Sequence, residues 1–351
     1  MKNRKLEKGA RFEMSLEVAK ILEVPPEEIE KELTKLREEL DNEVPKKILD
    51  KNLLVATWNI RCFGGLTEKW ASTQNDSPKR DLHALRCIAE IISRFDVIAI
   101  QEVRGQLKAL RHMLKVLGPN WGFVLTDVTE GHPDEIQDER MAFLFDTRKV
   151  QMSGLACELV VPRDKLNSIE ENALKEQFAR TPYAVSFRAG GSPIKRPKTF
   201  ILVTLHVIWE EKPDHKRVQE LKAIADWLAE WAKSINAYDH NLIALGDFNI
   251  DREGGELYDA FVSSGLRVPN DLHNVPRTLT SDPKKPNLDK FYDQIAWFTG
   301  ENNVPALSME CLQGGYFDFT QVALTSLNLT TNQLSWRISD HYPLWCEFSL
   351  E

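Results

Sequence analysis

The chain has 351 residues, 42% of them hydrophobic and 28% charged, with a formal net charge of −8. This is globular composition with length enough for a sizeable core, and it excludes a globally basic surface, although not a local basic stripe. The five cysteines (Cys62, Cys87, Cys157, Cys311 and Cys346) form no CxxC pair, which argues against a zinc–thiolate centre and fits a reducing compartment.

At the N-terminus, residues 1–14 are charged and no apolar core follows them, so no secretory signal is read there. No window approaches 18 apolar residues, so no membrane span is expected, and a cytoplasmic location is the expectation. A short helix is predicted over 16–22. Pro25 and Pro26 followed by Glu27 and Glu28 mark a second helix start. Ile29, Leu33, Leu36 and Leu40 then form one apolar stripe, and Glu27 with Lys31 forms an i,i+4 pair. Residues 1–51 are therefore expected to be a helical extension, and 52–351 the main domain.

From residue 52 strands and helices alternate. Strands are predicted at 53–60, 97–103, 141–146, 200–208, 242–249, 293–298 and 341–348, and helices near 80–94, 105–117 and 214–234. Most strand runs are continuously apolar, as sheets covered on both faces require. Two of them, 97–102 and 242–249, end in carboxylates. The expected architecture is α/β: two β-sheets packed face to face with helices outside, their strand ends meeting at one rim.

Polar residues gather at those ends. Asn59 ends the first strand, Glu102 the second, and Glu139 precedes the third. His206 lies near the end of the fourth, Asp247 and Asn249 close the fifth, Asp293 opens the sixth, and Asp340 and His341 open the last. Taken singly, each has a plainer explanation. His206 reads as a satisfied core histidine, the GDFN segment as an ordinary turn, Asn59 as an Asx turn, Asp293 as a strand-edge charge. The joint pattern points further. Oxygen ligands without cysteine suit Mg²⁺ or Mn²⁺. Two imidazoles with spare carboxylates suit proton transfer and stabilisation of charge on a phosphorus centre. The set reads as that of a metal-assisted phosphodiesterase.

The segments NIRCFGG (59–65), QEVRG (101–105), FARTPYAVSF (178–187), GDFN (246–249), FYDQI (291–295) and ISDHYPL (338–344) resemble, in this order, those of the endonuclease/exonuclease/phosphatase superfamily, and most closely its deoxyribonuclease I group. The likeness covers roughly residues 53–349. It implies a four-layer α/β sandwich of two packed mixed sheets flanked by helices, with Mg²⁺ (or Mn²⁺) as cofactor and DNA, in duplex form, as partner of a monomer. It also implies that Glu102 binds the metal, aided by Asn59 and Asp340. His341 would pair with Asp293 and His206 with Glu139, the imidazoles flanking the scissile phosphate; which is the base stays open. Asp247 would serve the attacking water or the leaving oxygen, and Asn249 a phosphate oxygen. Arg104 matches a minor-groove arginine and Arg180 a phosphate contact, each with a surface ion pair as the plainer alternative. Trp209, three residues past His206, is a candidate for stacking on a base or lining an apolar slot. The chain departs from the group at Gln137, where a groove tyrosine is expected, in a longer loop at 66–80 (Lys69, Trp70, Lys79, Arg80), and in residues 1–51. A second expectation is therefore a same-fold enzyme acting on a sphingomyelin-like lipid, a phosphoinositide or another small phosphodiester. A catalytically dead binding module would need no such full set of residues.

Overall fold

In the computed structural model, described for residues 24–127, 139–160, 180–190, 196–207, 215–234, 241–280 and 290–351, the strands and helices fall into layers. The strands are β1 Asn52–Phe63, β2 Val97–Arg104, β3 Trp121–Leu125, β4 Glu139–Asp146, β5 Val150–Glu158, β6 Tyr183–Ala189, β7 Lys198–His206, β8 Leu242–Asp247, β9 Leu266–Arg267, β10 Asp293–Phe298, β11 Cys311–Tyr316 and β12 Leu344–Ser349. The α-helices are α1 Glu27–Glu43, α2 Leu82–Ile92, α3 Lys108–Leu117, α4 His215–Lys233, α5 Glu256–Val262 and α6 Thr331–Ser335.

Two six-stranded sheets result, ordered β11-β12-β1-β2-β4-β3 and β5-β6-β7-β8-β10-β9. Each is mixed and built on one parallel pair. β1 and β2 pair in parallel with α2 between them in the chain, and β7 and β8 do so with α4 between them. The remaining pairings are antiparallel. Strand alternation sends successive side chains to opposite faces. Leu53, Val55, Val97, Ala99 and Phe143 therefore point inward and join Phe187, Leu202 and Ile243 of the second sheet in one core. Their neighbours Leu54, Ala56, Trp58, Ile98 and Ile100 point outward and are covered by Leu33, Leu36, Leu85, Ile88 and Leu110 of α1, α2 and α3. Cover on both faces is why these strands are continuously apolar.

The α1 stripe is part of that outer layer. Leu33, Leu36 and Leu40 are essentially fully buried, and Arg37 bridges to Glu90 of α2 at 2.7 Å. The expected helix at 16–22 lies outside the described residues.

Several boundaries differ from the sequence expectation. β12 begins at Leu344, not at His341, because Pro343 has no N–H to give a ladder. Residues 339–343 instead form a bend held by Leu279 N–H donating to the Asp340 carbonyl at 2.8 Å. β8 ends at Asp247. The preceding Gly246 has φ +140°, and a Cβ there would meet the Leu205 carbonyl oxygen at 2.1 Å, so no other residue fits. β3, β5, β6, β9 and β11 have no predicted counterpart, as the short, half-exposed or glycine-bearing runs of β3, β9 and β11 show no long apolar signal.

Candidate functional site

The rim is built where regular strand geometry breaks. The β1–β2 register shifts between Asn59 and Phe63, and the β2–β4 register shifts between Ile100 and Val103. Cys62 and Glu102 sit at φ 46° and 59°, a left-handed conformation that ordinary residues adopt at a cost. The two bulges fit together, since the Cys62 N–H donates to Glu102 Oε2 at 2.8 Å. Simple alternation, which would place Arg104 beside Glu102 on one face of an extended strand, therefore does not apply. The guanidinium reaches Glu102 all the same, at 3.4 Å, and lies 3.0 Å from Glu139 Oε1. Its side chain is only 11% exposed, so it faces the site's carboxylates rather than open solvent.

Asp247 is the hub. Asn59 Nδ2 donates to its Oδ2 at 3.0 Å, and the Asn249 N–H donates to its Oδ1 at 2.9 Å. His206 Nε2 and His341 Nε2 approach the same Oδ2 at 3.8 and 3.9 Å. The sheet registers explain the convergence, because Asp247 is paired with His206 on one side and with Asp293 on the other. Asn249, at φ 49°, turns the chain back and donates its side-chain amide to the Val207 carbonyl at 2.6 Å.

Behind each imidazole stands a carboxylate. His341 Nδ1 is 2.6 Å from Asp293 Oδ2, and Asp293 is fully buried. Burial alone would lower the His341 pKa, but the Asp293 carboxylate, with Asp247 and Asp340 beyond it, raises it to about 10. His206 Nδ1 is 3.3 Å from Glu139 Oε2, and Arg180 Nε contacts that oxygen at 2.7 Å. Burial would raise the Glu139 carboxyl, but His206, Arg180 and Arg104 together hold it down at about 2.

Asp340 lies at the opening, its side chain 37% exposed and 3.5 Å from Arg61. Its neighbour Ser339 is the pin. Its hydroxyl donates to the Asn59 carbonyl at 2.6 Å and accepts from the His341 N–H at 3.1 Å, fixing the last bend against the end of β1. Trp58 Nε1 donates to the His341 carbonyl at 2.8 Å and does the same from beneath.

Every expected site residue except Trp209, which lies outside the described residues, is thus at this rim, joined in one network from Glu102 through Glu139 to Asp293 or held beside it by Arg61. Sequence reasoning missed the supports. Arg80, read as the end of the longer 66–80 loop, is buried. It donates to the carbonyls of Arg61, Cys62, Arg337 and Ile338, and so ties the β1 bulge to the last bend. Arg277 donates to the Asp293 carbonyl, and Arg217 to that of Asn249. No local pattern marks an arginine as a buried backbone clamp; only Arg80's place before the N-cap Asp81 ties it to an element end.

The donor set fits a divalent cation. Asn59 Oδ1 is buried and has no hydrogen-bond partner among the described residues, and the nearby acids offer hard oxygens. Among the described residues, Asp247, Asp293 and His341 also offer ligand atoms within 4.8 Å of one another. In that trio His341 Nδ1 is already bonded to Asp293 Oδ2, whereas Asp293 Oδ1 is buried without a hydrogen-bond partner among the described residues.

A model of the Endonuclease/Exonuclease/phosphatase family matches residues 56–306. Deoxyribonuclease-1 of Canis lupus familiaris is 27% identical over 300 residues, covering 83% of this chain and 90% of that protein. Deoxyribonuclease gamma of Rattus norvegicus is 24% identical over 311 residues, covering 86% and 85%. A solved structure of a functionally unknown conserved protein from Enterococcus faecalis V583 superposes with a TM-score of 0.52 at 15% identity, covering 84% of this chain and 99% of that one. With its paired mixed sheets and helical outer layers, the chain belongs to the endonuclease/exonuclease/phosphatase family, whose members are hydrolases of phosphoester bonds.

Proposed function

We propose that this protein is a divalent-metal-dependent phosphodiesterase that hydrolyses DNA in the manner of its deoxyribonuclease relatives. The observation that carries the reading is the convergence of two buried imidazole–carboxylate pairs on one aspartate, with both Nε2 atoms within 3.9 Å of Asp247 Oδ2. A phosphate seated there meets a proton carrier on either side and a carboxylate able to take up the proton of a water. Glu102, Asn59 and Asp340 are the residues that would hold Mg²⁺ or Mn²⁺. The bound ion would neutralise charge gathering on a non-bridging phosphate oxygen.

The chain's own groups divide the remaining work. His341, kept cationic by Asp293, stabilises negative charge and gives a proton to the leaving oxygen. His206, which shares Glu139 with two arginines, stands on the opposite side of Asp247 and serves the water side. Asp247 orients the water, and Asn249 donates to a phosphate oxygen. Arg104 and Arg180 neutralise the cleft wall. The inward turn of Arg104 favours a place beside the phosphate over a reach into a minor groove.

The test is a substrate panel of supercoiled plasmid, single-stranded DNA, RNA, sphingomyelin and a small phosphodiester, each with Mg²⁺ and with EDTA. Plasmid nicking that chelation abolishes and Mg²⁺ or Mn²⁺ restores is expected. Full activity in EDTA would remove the metal from the account. Lipid or small-ester hydrolysis without nicking would move the substrate elsewhere in the family.

A further inference from the structure

The search for unassigned chemistry leads to the wall beside Asp340. Trp336 follows α6 directly and is 45% exposed, one of few large aromatic side chains left open to solvent among the described residues. A lone exposed tryptophan needs no explanation, but this one is fixed in place. The Arg61 guanidinium stacks over its ring at 3.8 Å from the centroid. The same guanidinium hydrogen-bonds Ser335 Oγ at 2.7 Å and lies 3.5 Å from Asp340 Oδ2. The indole plane is therefore tied through a single cation to a carboxylate of the proposed metal site. Arg337, the next residue, is half-buried and reaches Ser72 of the 66–80 loop at 3.5 Å. Aromatic and guanidinium groups are interleaved along one wall of the opening, and no residue of the network at Asp247 uses the indole.

We propose that Trp336, backed by Arg61, is a stacking shelf for an unpaired nucleobase next to the phosphate being cut. The inference rests on the nucleic-acid reading above and deepens it. One indole face is covered by the guanidinium, so the rest of the exposed ring is available to one flat partner. Bases inside an intact duplex have both faces occupied by their neighbours, whereas an unpaired base offers one. Arg61 pairs with Asp340 and lies against the ring, which places the shelf beside the proposed metal site. The enzyme should then cut single-stranded or frayed DNA better than closed duplex, with Trp336 responsible for the difference.

The experiment compares the wild-type enzyme with Trp336→Ala and Trp336→Phe in Mg²⁺, on two single-stranded oligonucleotides of equal length. One carries normal bases, and the other carries stable abasic sugars throughout. The wild-type preference for the base-bearing strand, as a ratio of kcat/KM values, should fall about tenfold in Trp336→Ala and be partly kept in Trp336→Phe, the usual scale for one base–aromatic stack. Equal losses on both strands would make Trp336 a structural prop for Arg61. No change on either would remove the shelf. A wild-type enzyme that nicks plasmid but cuts neither oligonucleotide would overturn the shelf alone; one that cuts neither plasmid nor oligonucleotide but hydrolyses a small phosphodiester would overturn the nucleic-acid reading, and the shelf with it.

Discussion

The two imidazole–carboxylate pairs look alike in outline and differ in what surrounds the acid. Among the described residues no guanidinium pairs with the Asp293 carboxylate; Arg277 binds its backbone carbonyl instead, and His341 is the partner at 2.6 Å. Glu139 is shared by His206 at 3.3 Å, Arg180 at 2.7 Å and Arg104 at 3.0 Å. His341 bonds a buried acid and is held protonated by it, whereas His206 shares its acid with two arginines. A fold can thus give two similar pairs different surroundings by placing or withholding arginine at the carboxylate.

The strongest way to break this contrast is to remove His341. His341→Ala should lower kcat on a small phosphodiester by at least ~10²-fold with the fold intact by circular dichroism, and Asp293→Asn should follow it closely, because the buried charge that holds the imidazole is gone. His206→Ala should also cost at least ~10²-fold, but less than His341→Ala, since two arginines still neutralise Glu139. A folded variant of either histidine with wild-type turnover would assign that side chain to the core.

Smaller effects sharpen the second pair. Arg104→Ala should lower turnover on plasmid and on the small phosphodiester alike, as its inward position implies. Loss confined to plasmid would restore a groove-reading role. Glu139 bears on stability. Its folded carboxyl is held at about 2 against an ordinary 4.5, so its contribution is fully present above about pH 4.5 and is lost as pH falls toward 2. Glu139→Gln should therefore make the acid limb of a Tm-against-pH curve shallower across that window; an unchanged limb would show that the ion pairs do not persist in solution. Leu36→Ala, in α1, serves as the control far from both pairs. It should cost about 2–5 kcal/mol of stability in urea unfolding while leaving kcat unaltered.

Much of this was legible from the sequence because buried strands announce themselves. The 97–102 and 242–249 runs are largely apolar and carry acids at their ends, and the structure brings those ends to one rim. The 293–298 strand was read to the residue. What stayed hidden depends on distant pairing. The bulges at Cys62 and Glu102 arise from register shifts between strands, which no local pattern encodes. Arg80 looks like a loop residue until four carbonyls from two separate segments close around it. β11 has two glycines and polar neighbours, and becomes a strand only because β12 offers it an edge.

The central claim is that both histidines serve one reaction centred on Asp247, and a double-mutant comparison addresses it. His206→Ala, His341→Ala and the double variant are to be assayed on the same small phosphodiester in Mg²⁺. Groups that act in a single step lose little more together than the worse of them loses alone, so the double variant should fall close to His341→Ala. Losses that multiply would show the two imidazoles acting independently and would contradict the account.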